Sequence, residues 1–218
     1  MRGGPMELNI LERPKVLLFR KDYQVVKRVF DVTLCFLALP IIVPIIAVCA
    51  LLIWLDDGRP ILFTQLRTGK GGQRFKVYKF RTMVRNAEAL KEKYAYLNKL
   101  TWPDFKAADD PRITRIGKIL RKTSLDELPQ LINVIKGEMS LVGPRPSSFD
   151  VSTYGLRHTE RLEVLPGITG LAQINGRSDL GFDEKLVLDV EYVKRQSLWL
   201  DIQILLRTVV VVFKQHGE

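Results

Sequence analysis

Hydrophobic and polar positions are distributed unevenly along this chain. From Val32 to Leu55 lies a run of 24 residues without a charge, VTLCFLALPIIVPIIAVCALLIWL. As a straight helix it would extend about 36 Å, enough to cross a hydrocarbon core of about 30 Å. It is too long and too late in the chain for a signal peptide, and it lacks a small-residue cleavage site. Pro40 and Pro44 sit near its middle. Each removes a backbone donor and crowds the preceding turn, so a bend is expected there. Both flanks are basic: Arg20, Lys21, Lys27 and Arg28 before the run, Arg59, Arg67, Lys70, Arg74, Lys76, Lys79 and Arg81 after it. A crossing helix cannot keep both flanks in the cytoplasm. A helix that enters, bends at Pro40 and Pro44 and returns can. A re-entrant helix is therefore expected ahead of a kinked spanning helix.

Beyond this run the patterns shorten. Ile61–Arg67 and Arg74–Arg81 predict two short strands around the Thr68–Gly72 turn, TGKGG. The glycines lack the spacing of a phosphate-binding P-loop, which favours a hairpin turn. Helical patterns cover Asn86–Leu100, Ile113–Lys122, Ser124–Lys136 and Gly181–Gln196, the third closed by Gly137. Thr101–Pro111, with prolines and aspartates, is expected to loop, and Leu141–Pro146 and Leu165–Arg177 to be extended or looped. At the C-terminal end Leu198, Ile202, Leu205, Val209 and Val212 recur at helical spacing, broken by Asp201, Gln203 and Arg207. Such a helix is too polar to span; it lies in a membrane interface or packs on the domain.

Charge narrows the partners. The formal net charge of +10 suggests an anionic one, whether nucleic acid, anionic lipid or a phosphorylated substrate. No basic stripe with interleaved aromatics is found, so nucleic acid is not expected. Cys35 and Cys49 lie inside the apolar run and are expected to pack as small apolar residues, not to form a disulfide or a zinc site. His158 and His216 are isolated in sequence, so no local metal motif includes them.

Candidate chemistry concentrates in Leu120-Arg-Lys-Thr-Ser-Leu-Asp-Glu-Leu-Pro-Gln130. Ser124 and Glu127 fit a capping box. Pro129 weakens that reading, because it would fall where the helix needs a donor. A helix starting at Asp126 brings Pro129 into the first turn, where no donor is needed. Asp126 then sits at a helix N-terminus, where the dipole, Arg121 and Lys122 would keep its carboxylate ionised. An ionised carboxylate beside cations is what a nucleophile aimed at a phosphate needs. Glu127 can join Asp126 in holding a divalent metal, most naturally Mg²⁺, which takes oxygen ligands and phosphate co-ligands. Further on, Gly137-Glu-Met-Ser-Leu-Val-Gly-Pro-Arg-Pro146 sets Arg145 between two prolines. A fixed backbone there pre-positions the planar guanidinium for phosphate. A helix cap and a plain turn remain the alternatives for these two stretches.

Taken together, these pieces resemble the bacterial sugar transferases, the monotopic phosphoglycosyl transferases that start glycan assembly on polyprenyl phosphate. The matching segments are Lys27-Arg-Val-Phe-Asp31, the proline-broken helix, Lys79-Phe-Arg-Thr-Met83, Ser124-Leu-Asp-Glu-Leu-Pro-Gln130, Ser140-Leu-Val-Gly-Pro-Arg-Pro146, Pro166-Gly-Ile-Thr-Gly170 and Asp189-Val-Glu-Tyr192. They run in family order over about residues 27–213. The Ala87–Arg112 insertion resembles the longer hexose-phosphate transferases. Small members often carry Ser-Pro at the membrane break; here it is Leu39-Pro40, followed by Pro44.

The resemblance implies an α+β fold: a mostly helical cytoplasmic catalytic domain with a short β-hairpin and an N-terminal re-entrant membrane helix. Residues 1–26 would be a cytoplasmic lead, 27–56 the proline-broken anchor and 57–218 the catalytic domain. It implies an enzyme of the bacterial inner membrane, working at the cytoplasmic face. Asp126 would attack the β-phosphorus of a UDP-sugar and release UMP. The sugar phosphate would then pass from Asp126 to polyprenyl (undecaprenyl) phosphate, the first membrane step of exopolysaccharide, capsule or O-antigen assembly. Mg²⁺ would be held by Asp126 and Glu127, with Glu127 as ligand or base. Lys79, Arg81, Arg121 and Arg145 would contact substrate phosphates, and Gln173 and Arg177 the nucleotide. Asp189 is a further substrate-binding candidate that a helix-surface salt bridge explains equally well. A homodimer is compatible with the resemblance.

Overall fold

The computed structural model describes residues 21–90, 93–94, 110–150, 159–176 and 180–214. It opens with helix α1 (Lys21–Asp57), which runs through Pro40 and Pro44 without being divided into two elements. In an apolar stretch the backbone groups have only each other as partners, so the helix persists on both sides of each missing donor. Its most apolar 18-residue window has a mean hydropathy of 3.0 and is 11% buried. Most of the helix therefore turns away from the protein, with Phe36, Leu37, Ile41, Val48, Trp54 and Leu55 exposed. A narrow stripe faces inward. Cys35 joins Val77, Leu131, Val134 and Met139, while Cys49 and Ile53 join Phe80 and Leu120. Both thiols are free and buried, as the sequence led us to expect.

Strands β1 (Leu62–Thr68) and β2 (Arg74–Phe80) form the expected antiparallel hairpin, with Phe63 opposite Lys79 and Arg67 opposite Phe75. Gly71 and Gly72 turn the chain at φ 64° and 79°, a left-handed conformation that glycine adopts without steric cost. Arg81 follows β2, and its guanidinium reaches back to the foot of α1. It donates to the Gly58 carbonyl at 2.8 Å, the Asp57 carbonyl at 3.0 Å and the Pro60 carbonyl at 2.6 Å, and pairs with the Asp57 carboxylate. These contacts use carbonyls that the end of a helix leaves without intrahelical partners.

Helix α2 (Arg115–Thr123) is capped by Thr114, whose hydroxyl accepts from the Gly117 amide at 2.9 Å. The single helix expected over 124–136 is divided. A 3₁₀ segment, Leu125–Gln130, precedes α3 (Leu131–Lys136), which Gly137 closes at φ 84°. Pro129 cannot donate, and a tighter turn accommodates it better than a regular α-helix. The capping box is absent too: Ser124 is left-handed at φ 58° and its side chain does not cap. Strand β3 (Ser140–Val142) pairs in parallel with β4 (Gly167–Thr169), a second small sheet inside the segments expected to be extended or looped. Helices α4 (Leu171–Ile174), α5 (Phe182–Arg195) and α6 (Leu198–Lys214) follow. Helix α6 both packs and presents: Asp201 and Ile204 are fully buried, while Trp199, Leu206, Val209 and Val210 are exposed. Of the helix expected over 86–100, the described residues form turns. The remainder lies outside the described residues.

A buried polar network ties α1 to this domain. Lys27 donates to Asp201 at 2.6 Å, and Ser140 donates to Asp31 at 2.7 Å. The Tyr192 hydroxyl sits between Asp201, at 2.7 Å, and the Val142 carbonyl, at 3.0 Å, and shares its one proton between them. At the other end of α1, Asp56 accepts from the Ile116 amide at 3.1 Å.

Candidate functional site

The 3₁₀ segment packs on β2 and carries Asp126 and Glu127 in its first turn. Glu127 turns toward the hairpin. Its Oε1 accepts from Lys79 at 2.9 Å and from Arg145 Nη2 at 2.5 Å; its Oε2 accepts from Arg145 Nη1 at 3.2 Å. Burial alone would raise its pKa, but the charges of Arg145 and Lys79 outweigh burial and hold the carboxyl well below the usual range. Glu127 is thus a fixed anion at the centre of two cations.

Asp126 is the opposite case. It is half-buried, and among the described residues none donates a hydrogen bond to it. Burial and the charge of Glu127 raise its pKa, and Lys79, Arg121 and Arg145 offset this only in part. The sequence led us to expect a helix dipole, Arg121 and Lys122 to favour the ionised form; the first turn is instead a short 3₁₀ segment, and burial and Glu127 oppose ionisation while Arg121 favours it. The Arg121 Nε donates to Thr82 Oγ1 at 2.9 Å.

The loop bearing Arg145 is fastened from several sides. The Gly143 amide donates to Thr169 O at 2.9 Å, and the Gly167 amide to Pro144 O at 2.9 Å. A Cβ on Gly143 would meet Leu165 O at 2.5 Å, so this approach requires glycine. Arg161, which the sequence did not single out, donates to the Arg145 carbonyl at 2.5 Å and pairs with Asp189 at 2.7 Å. Burial raises Asp189 to about 6, with Arg161 and Arg145 opposing it. Asp189 therefore lies beneath the Arg145 loop, buried, and is neither a surface salt bridge nor an open substrate contact.

The structure thus brings Asp126, Glu127, Lys79, Arg121 and Arg145 together. It places Arg81 elsewhere, with its donors spent on the foot of α1. Gln173 is buried on α4, and among the described residues neither the oxygen nor the nitrogen of its amide has a hydrogen-bond partner. Arg177 lies outside the described residues. No signal in the sequence marked Arg161 or Thr82, because each acts through a partner distant along the chain.

Among the described residues, no third carboxylate, histidine or cysteine joins the acidic pair as a cation site. The pair still fits a hard divalent ion. Among the described residues, none donates a hydrogen bond to Asp126, and Glu127 Oε2 accepts only from Arg145. Mg²⁺ commonly takes one or two carboxylates and fills its remaining positions with water and phosphate oxygens.

Comparison with known proteins identifies the family. Residues 22–215 match the family described as bacterial sugar transferase. The chain is 45% identical over 201 residues to a galactosyl transferase, CpsE, of Streptococcus agalactiae, covering 91% of this chain and 44% of that protein. It is 42% identical over 208 residues to an undecaprenyl-phosphate galactose phosphotransferase of Salmonella typhimurium, covering 92% and 43%. An exopolysaccharide production protein, ExoY, of Sinorhizobium fredii is 40% identical over 197 residues, covering 88% and 87%. The chain thus spans less than half the length of the first two relatives and most of the third. On a match that takes in the anchor, the acidic pair and the Arg145 loop alike, the chain belongs to the bacterial sugar transferase family.

Proposed function

We propose that this protein transfers a sugar 1-phosphate from a UDP-sugar to a polyprenyl phosphate through a covalent intermediate on Asp126, releasing UMP. The observation that carries this reading is the Asp126 carboxylate, which accepts no hydrogen bond from the described residues and is acted on by the charges of Lys79, Arg121 and Arg145. A lone pair of Asp126 forms a bond to the β-phosphorus, and the bond from that phosphorus to UMP breaks, with the electron pair leaving on UMP. A phosphate oxygen of the polyprenyl phosphate then attacks the same phosphorus and returns Asp126 as a carboxylate. Little of this requires bond chemistry from other residues; positioning and charge neutralisation dominate. The cluster sets three cations against two carboxylates before substrate arrives, an excess that favours a diphosphate. A carboxylate whose pKa is raised is also the more nucleophilic one. Glu127 holds Lys79 and Arg145 in place, and Arg145 presents a fork that matches phosphate oxygens. Asp126 and Glu127 would hold Mg²⁺, which would supply further neutralisation of the diphosphate and of the departing UMP.

The anchor supports the same reading. Lys27, Arg28 and Asp31 near one end of α1, and Asp56 and Asp57 at the other, bond to the same domain. A helix that enters and returns to one face accounts for this more simply than one that crosses. The catalytic cluster then sits where a polyprenyl phosphate keeps its tail in lipid and its head in water. We place this at the cytoplasmic face of a bacterial inner membrane, at the first membrane step of exopolysaccharide, capsule or O-antigen assembly. The relatives named for galactose and undecaprenyl phosphate point to a hexose donor of this class.

The test uses the full chain in lipid nanodiscs with polyprenyl phosphate and a panel of UDP-sugars. UMP and a lipid-linked diphosphate sugar should appear together with at least one donor. UMP release from no donor would remove the reaction. A cysteine placed at Gly3 should resist periplasmic labelling, and labelling there would mean that α1 crosses.

A further inference from the structure

The hairpin wall of the site carries an exposed aromatic side chain that the chemistry above does not use. Phe63 lies directly opposite Lys79 in the antiparallel register. Opposed residues project from the same face with Cβ atoms about 5 Å apart, so Phe63 stands beside the lysine that holds Glu127. Two residues along on each side, the same face of β1 leads through Gln65 to Arg67, which donates to the Pro146 carbonyl next to Arg145 at 3.4 Å. This row of β1 therefore borders the cation cluster, and Phe63 occupies its end. The ring is 48% exposed.

What it faces follows from where the foot of α1 is fixed. Arg81, two residues beyond Lys79, bonds to the carbonyls of Asp57, Gly58 and Pro60. The last turn of the anchor is thereby held close to the Lys79 end of the hairpin. Within that turn, Trp54 and Leu55 are exposed on the apolar helix, at 50% and 66%. Lipid-facing side chains, an exposed phenyl ring and a cluster of cations follow one another over a short distance. A ligand with an anionic phosphate head and a hydrocarbon tail matches that order. A nucleotide or a hexose matches only its cationic end.

We propose that Phe63 is the protein's contact for the first isoprene units of the polyprenyl phosphate acceptor, seating the tail between the foot of α1 and the Lys79 end of the site. This rests on the transfer reaction proposed above. It separates the two substrates in space: the donor diphosphate lies on the cations, and the acceptor tail leaves over Phe63.

Two half-reactions separate the possibilities. With Phe63→Ser, the KM for polyprenyl phosphate should rise about 10-fold, because an apolar contact of this size is lost. The KM for the UDP-sugar, and UMP release in a single turnover without acceptor, should stay within about 2-fold of wild type. Phe63→Leu should restore the acceptor KM, since a hydrocarbon contact needs no ring. A change in donor KM, or a failure of leucine to restore, would assign the ring to the sugar or the base and overturn the proposal. An unchanged acceptor KM in Phe63→Ser would overturn it as well. A readout independent of turnover is a photoreactive phenylalanine analogue at position 63 in nanodiscs containing polyprenyl phosphate. Cross-linking to the polyprenyl chain supports the seat, and cross-linking to bulk phospholipid only removes it. If wild-type chain released no UMP at all, the reaction would fall, while the cross-link would still decide the binding site.

Discussion

Two regions of this molecule set paired carboxylates among cations, with opposite results. In the cluster around the acidic pair Asp126 and Glu127 face Lys79, Arg121 and Arg145, and among the described residues none donates a hydrogen bond to Asp126. In the anchor network Asp31 and Asp201 share, among the described residues, one lysine, Lys27, and accept from the hydroxyls of Ser140, Tyr192 and Tyr23. The first has cations in excess and stays partly open. The second has carboxylates in excess, and Asp31 and Asp201 are 2% and 0% exposed. Cation excess beside an open acid suits the diphosphate of the proposed donor. Buried acids held by one lysine and neutral hydroxyls make a fastening between helix and domain.

The comparison breaks most sharply at Asp126. Asp126→Asn should lower turnover by roughly 10⁴-fold, as loss of a nucleophile does. Its thermal midpoint should not fall, since no hydrogen bond is lost and a buried charge is removed. Steady-state UMP release and a thermal melt in nanodiscs check both halves. Near-normal release would end the nucleophile assignment.

Asp201→Ala should behave in the reverse way. It leaves Lys27 in a buried site without its 2.6 Å partner. Breaking such a pair costs about 3 to 5 kcal/mol, which lowers the melting midpoint by about 10 °C in a domain of this size. Melting of the variant, with membrane recovery measured alongside, tests it. A midpoint within about 2 °C of wild type would mean the network fastens nothing.

Glu127→Gln tests whether a residue in the open cluster can also act as a fastening. The amide oxygen can still accept from Lys79 or Arg145, but the anion holding both is gone. Turnover should fall about 100-fold, and the melting midpoint at neutral pH should fall as well. Because the two cations hold the Glu127 carboxyl low, it contributes stability at neutral pH that is lost progressively as pH falls below the ordinary glutamate range. Glutamine should therefore blunt the acid end of the wild-type stability profile.

The sequence made some of this legible and hid the rest for physical reasons. The anchor is a property of composition, and the hairpin turn a property of Gly71 and Gly72. Asp126, Glu127 and Arg145 stood out because prolines and charges cluster around them. The partners that define their roles did not. Lys79 reaches Glu127 across 48 residues, and Tyr192 meets Val142 across 50. Arg81 reads as a phosphate ligand because it neighbours Lys79, yet it lies past the end of β2, where the carbonyls of a finished helix need a donor. The parallel pairing of β3 with β4 is likewise non-local, and neither three-residue strand announces the other.

Asp189 gives the smallest effect and the finest distinction, because it belongs to neither extreme. It is buried like the anchor acids but sits under the loop that carries Arg145. Burial raises its carboxyl to about 6, so the folded protein keeps a proton through pH 4 to 6 that the unfolded chain has already released. Its contribution to stability is therefore greatest below about pH 4, falls as pH rises to about 6 and is level above that, with a total of roughly 3 kcal/mol. Asp189→Asn has no proton to release, so this slope should vanish from melting curves taken between pH 4 and 7. The slope is the diagnostic, because loss of the Arg161 pair shifts the whole curve without changing its shape. A slope that survives the substitution would place the titrating group elsewhere. One that vanishes would show the Arg145 loop resting on an acid that folding itself makes reluctant to ionise.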